Sequence, residues 1–102
     1  MLTSKQRAFL RGLANTLDPI VIVGKDGVTE NVAIQVRDAL RARELIKGKV
    51  LESALLTARE AGDELARRCG ADVVQCIGSR FVLYQKNEKE PKIVLPSDKG
   101  KK

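Results

Sequence analysis

Gly24, Lys25, Asp26 and Gly27 are the densest group of chemically useful residues in the chain: two glycines three apart, bracketing a cation and a carboxylate. Glycine at both ends admits positive φ and puts no Cβ in the way of a ligand, so backbone N–H groups can face a phosphate. Lys25 adds a mobile positive charge there, and Asp26 partly opposes it. Thr29 is placed to cap a helix whose first turn exposes unpaired amides and the positive end of a dipole. The stretch is neither a Walker loop, which needs Gly-Lys-Ser/Thr at its own spacing, nor the three-glycine dinucleotide fingerprint. Gly-x-x-Gly also occurs in strand-to-helix turns for geometric reasons alone, so the loop gains meaning only from its surroundings.

Other cations fall in pairs. Arg7 and Arg11 are four apart on a helical stretch; Arg37 and Arg41 repeat that spacing, with Ile34 beside them. Lys47 and Lys49 share one face of a strand by period two, and Arg80 stands at the edge of a turn. Each group reads either as a phosphate-contacting surface or as an ordinary solvated face. The chain has no histidine, so neither a zinc site nor a Cys-His nucleophile can be built from Cys69 and Cys76. Those two cysteines are expected to be small buried hydrophobes in a reducing compartment. An enzyme acting on a phosphorylated small molecule would need Asp26 or Glu30 as its base, and no paired-carboxylate or metal-ligand spacing supports that. The expectation is a non-catalytic protein with no cofactor and no metal.

These residues require a scaffold. Thr3-Ser4-Lys5-Gln6 is a capping box opening a helix to about Leu17, with Phe9, Leu10, Leu13 and Leu17 facing inward. Pro19 to Val23 reads as a buried strand leading into the glycine loop. A second helix is expected from about Glu30 to Arg43 and a second strand over Leu45 to Leu51. A third helix follows over about Ala54 to Cys69, its outer face of mixed charge and without function. Gly70 ends it. Asp72 to Ile77 and Arg80 to Tyr84 form a hairpin turning at Gly78-Ser79. The order α-β-α-β-α-β-β implies an α/β fold, a four-stranded mixed sheet with three helices, in one domain over residues 1–85. Residues 86–102, rich in Lys and Glu, read as a flexible basic tail.

With 102 residues, only one small domain fits, and its core must be aliphatic, since Phe9, Phe81 and Tyr84 are the only aromatics. Nineteen Lys and Arg against 13 Asp and Glu give a net charge of +6, which favours a polyanionic partner. Residues 1–49 and the tail carry that excess. No apolar run is long enough to span a membrane, and cytoplasmic residence is expected.

Taken together, residues 1–85 resemble the stand-alone CRM domain of the bacterial YhbY type. The resemblance is carried by Leu2-Thr3 with Arg7, Leu10 and Arg11, and by Pro19 followed by Val23-Gly24-Lys25-Asp26-Gly27. It continues in Leu45-Ile46-Lys47 with Lys49, Gly70-Ala71, Val74-Gln75, Ile77-Gly78 and Val82-Leu83-Tyr84. It implies a fold similar to the C-terminal domain of translation initiation factor three. It also implies binding to structured RNA, ribosomal RNA in precursors of the large subunit, through the loop Gly24–Gly27 and nearby basic residues; a monomer is expected. The alternatives are a splicing or chaperone accessory factor of the same fold, or a protein-interaction module using Ile34 or Ile93-Val94-Leu95.

Overall fold

Three threonines start the three helices. Thr3, Thr29 and Thr57 each adopt an extended backbone and accept a hydrogen bond from the amide three residues on, leaving one fewer unpaired donor in each first turn. Thr3 with Gln6 and Thr57 with Glu60 complete reciprocal capping boxes. The computed structural model describes residues 2–96. In order, the elements are α1 (Ser4–Ala14), β1 (Val21–Val23), α2 (Glu30–Arg43), β2 (Leu45–Val50), α3 (Ala58–Cys69), β3 (Asp72–Ile77) and β4 (Arg80–Tyr84). The third helix starts four residues later than Ala54 because the Thr57 box sets its first turn. The first ends at Ala14, short of Leu17.

The sheet has the order β1-β2-β4-β3; β1 and β2 are parallel and the other pairings antiparallel. It is the four-stranded mixed sheet expected. One face carries Val21, Val23, Ile46, Val50, Phe81 and Leu83 against α2 and α3. Gly48 belongs to this face for a steric reason: a Cβ there would stand 2.2 Å from Cζ of the buried Phe81, so the ring fills the space over the glycine.

Of the three helices, only α1 meets the other face. Leu10 and Ala14 pack on Leu45, Val74, Val82 and Tyr84, and a helix of 11 residues covers only about 16 Å of sheet. This changes the inward stripe expected for α1: Phe9 and Leu13 are each 40% exposed, since a single helix offers the sheet only a narrow line of contact. It also changes β1, which is an outer strand with one buried face and not a strand buried on both. Ile20 and Ile22 lie on the α1 side beyond the helix's reach and stay largely exposed.

β3 carries a bulge. Val73 pairs with Leu83 and Gln75 with Val82, so Val74 is an extra residue. Strict alternation would put Gln75 and Ile77 on the side of Val73, which packs towards α2 and α3. The extra residue turns both onto the α1 side, opposite Val82 and Arg80.

The chain beyond Tyr84 is not the free tail that its composition suggests, at least as far as residue 96. Glu44, fully buried at the C-terminal end of α2 with φ 68°, gathers three amides on its carboxylate: Asn87 at 2.6 Å, Lys92 at 2.7 Å and Ile93 at 2.7 Å. Burial raises its pKa, but those three N–H groups and the Lys92 charge outweigh it and hold the carboxyl below the usual glutamate range. Ile93 and Leu95 then pack beside Leu2 and Leu17, and Gln6 Nε2 donates to the Pro96 carbonyl at 3.2 Å. Segment 85–96 is a strap. Lys99, Lys101 and Lys102 lie outside the described residues.

Candidate nucleic-acid interface

At the end of β1 the chain turns sharply: the Gly27 N–H donates to the Gly24 carbonyl at 2.9 Å, and Gly27 takes φ +74°, where a side chain is strained. A Cβ at Gly24 would lie 3.8 Å from Leu51 Cδ1 and one at Gly27 3.6 Å from Leu56 Cδ2, so the loop leans on the segment joining β2 to α3. Its outer side is open. Lys25 and Asp26 are exposed, and their amides make no backbone hydrogen bond among the described residues. The helix behind contributes less than its position suggests, because Thr29 Oγ1 already accepts from Val32 N at 3.2 Å and Glu30 puts a carboxylate in the first turn. The loop itself, more than the helix end, is left to hold an anion.

The uncovered half of the sheet adjoins this loop. Ile22 pairs with Lys49, Lys49 with Arg80 and Arg80 with Ile77, forming one row across all four strands. The next row inward holds Lys47, Val82 and Gln75. Ile22 and Ile77 are 46% and 63% exposed, so apolar surface alternates with cations. Among the described residues the ion pairs are Arg41–Asp38, Arg59–Asp63, Arg67–Glu64 and Arg68–Glu64. None engages Lys25, Lys47, Lys49 or Arg80. Among the described residues, then, four cations without an acidic partner share one end of the molecule with the Gly24–Gly27 loop.

The remaining arginines do not join them. Arg7 is half-buried, and its guanidinium donates to the Val73 and Val74 carbonyls at the bulge of β3. It holds the sheet instead of facing solvent with Arg11, which is exposed one turn further on. Arg37 and Arg41 belong to α2, which packs on the opposite face of the sheet, and line a hollow shared with Lys86, Asn87 and Lys89 of the strap. Arg41 also stands 3.9 Å from Asp38, and its carbonyl accepts from Asn87 Nδ2 at 3.1 Å. Reasoning from the sequence passed over Ile22, Ile77 and Leu55, the last 95% exposed in the loop before α3. The run Ile20-Val21-Ile22-Val23 is apolar throughout, so it gives no sign that Ile22 faces outward. The bulge that turns Ile77 outward leaves no sign in the sequence either.

The sequence matches the CRS1/YhbY (CRM) domain over residues 2–85. The chain belongs to this family. Among CRM proteins, the Bacillus subtilis protein named "Probable RNA-binding protein YqeI" is 42% identical over 96 residues, covering 94% of this chain and all of that protein. A Haemophilus influenzae protein named "RNA-binding protein" is 42% identical over 95 residues, covering 93% of this chain and 95% of its own length. The solution structure of the Staphylococcus aureus protein SAV1595 superposes with a TM-score of 0.71 at 40% identity, covering 94% of this CRM chain and the whole of that one. The family match ends at residue 85, where the strap begins.

Proposed function

We propose that this CRM protein binds RNA without catalysis, holding the phosphate backbone at the Gly24–Gly27 loop and at Lys47, Lys49 and Arg80 on the open half of the sheet. The observation that carries the reading is the convergence of four cations lacking an acidic partner with a loop that leaves the Lys25 and Asp26 amides free. The names of the similar proteins support the same class of partner. The family resemblance supports a narrower reading, that the RNA is ribosomal and belongs to precursors of the large subunit.

Four neutralised phosphates on a single strand give a log-log salt slope of about 3, so affinity falls about 50-fold between 50 and 200 mM salt. The clean variant is Gly24→Asp. A side chain there meets only ordinary van der Waals contact, so the fold tolerates it while the new carboxylate repels a phosphate. Binding of large-subunit and small-subunit ribosomal RNA is measured for wild type and variant across a salt series. The expected result is a preference for large-subunit RNA and at least a tenfold loss in the variant, with an unchanged circular dichroism spectrum. Equal binding by the variant removes the loop from the interface. Equal affinity for both RNAs removes the large-subunit reading.

A further inference from the structure

Where α1 ends, the sheet is left with a hollow of about 180 Å³, lined by Asn15, Lys47, Gln75, Ile77, Arg80 and Val82. Its composition is unlike a solvated groove. Buried Val82 lies at its base with the exposed side chain of Ile77 beside it, Lys47 and Arg80 also line it, and no acid is among its lining residues. Two carboxamides face it as well, and among the described residues neither the Asn15 nor the Gln75 side chain has a hydrogen-bond partner. Each carboxamide offers donors and an acceptor.

We propose that this hollow receives an unpaired nucleobase of the bound RNA, a reading that rests on the RNA-binding function above. A base presents an apolar ring face and an edge of alternating donors and acceptors. The ring meets Ile77 and Val82, the edge meets the Asn15 and Gln75 amides, and Lys47 and Arg80 take the flanking phosphates. In a duplex those edges are consumed by pairing and the bases are stacked out of reach, whereas unpaired bases can be splayed onto a protein surface. The strands of this face carry no exposed aromatic side chain, so aliphatic packing and amide hydrogen bonds take the place of ring stacking there.

The bulge at Val74 is what builds the hollow. Without the extra residue, Gln75 and Ile77 would turn to the opposite face. Arg7, bonded to the two carbonyls of the bulge, is thus a positioning residue for the hollow and not a phosphate ligand.

The test uses the full chain labelled with nitrogen-15 and two probes: a single-stranded RNA of about a dozen nucleotides of mixed sequence, and a duplex of the same length. The side-chain amide signals of Asn15 and Gln75 are followed during each titration. The expected result is that both signals shift with the single strand and hold still with the duplex, and that the single strand binds at least about tenfold tighter. A variant carrying Asn15→Ala and Gln75→Met loses most of that preference. If the Gly24–Gly27 backbone signals shift while the two side-chain amides do not, the hollow is empty in the complex and the inference falls, although the RNA-binding function stands. A duplex bound as tightly as the single strand overturns it as well. If no signal moves with either probe at low salt, both readings fall.

Discussion

Glu44→Gln separates the strap from the rest of the fold. The wild-type carboxylate is fully buried and accepts from Lys92 and Ile93 on one oxygen and from Asn87 on the other. Glutamine keeps the volume and the unusual backbone angle but not the charge. Its oxygen can retain two of the three bonds as neutral ones, each weaker by about 1 kcal/mol, while its NH2 faces the third donor and forfeits about 2 kcal/mol more. The sum is a loss of about 4 kcal/mol from the docked strap. Strap opening is cheaper than global unfolding, so the effect appears first as local exposure. The assay is hydrogen exchange at the Asn87, Lys92 and Ile93 amides, followed from pH 7 downward. The folded carboxyl titrates below its unfolded value of about 4.3, so its contribution is fully present above that value and is lost as pH falls through the lowered folded one. Wild type therefore sheds protection at these three amides in acid, whereas the glutamine variant is unprotected throughout and flat with pH. Equal protection of the three amides in the two proteins at neutral pH would refute the argument.

Gly48→Ala reverses the usual sign for a strand. Alanine normally gains about 0.5–1 kcal/mol over glycine there, but the new methyl collides with the Phe81 ring, so a net loss of about 2–3 kcal/mol is expected by urea unfolding. A variant as stable as wild type would show that the ring moves aside freely. Cys69 and Cys76 are both free, and burial pushes each thiol above its ordinary pKa, with Arg37 and Arg68 partly offsetting this at Cys69 and Arg59 at Cys76. At neutral pH a thiol reagent should label the folded protein much more slowly than the urea-unfolded chain; equal rates would contradict the burial.

Local signals in the sequence were sufficient for the elements that local physics decides. The capping box at Thr3, the apolar spacing of α2 and the Gly78-Ser79 turn each specify their own few residues, and the same is true of the inward stripe Ala58, Ala61, Leu65 and Cys69. The shared face of Lys47 and Lys49 follows from strand alternation and survives in the structure. What the sequence hid depends on tertiary placement. Arg7 and Arg11 look alike on a helical wheel, yet Arg7 is spent on β3 because α1 lies across that strand. Glu44 reads as one more surface acid at the end of a helix until residues 87–93 come back to meet it. Composition made residues 86–96 look unstructured, since three amides converging on one distant carboxylate leave no periodic trace.

The contact between Arg7 and β3 also decides how the protein meets other chains. An outermost strand normally offers its free carbonyls and amides to any extended segment that drifts past, which is how sheets grow from one molecule to the next. Here the bulge breaks the even spacing that an incoming strand needs, and a guanidinium already occupies the Val73 and Val74 carbonyls. At the opposite margin β1 is only three residues long. Both flanks of the sheet are thus poor templates for a fifth strand, while the exposed isoleucines stay available on the flat of the sheet.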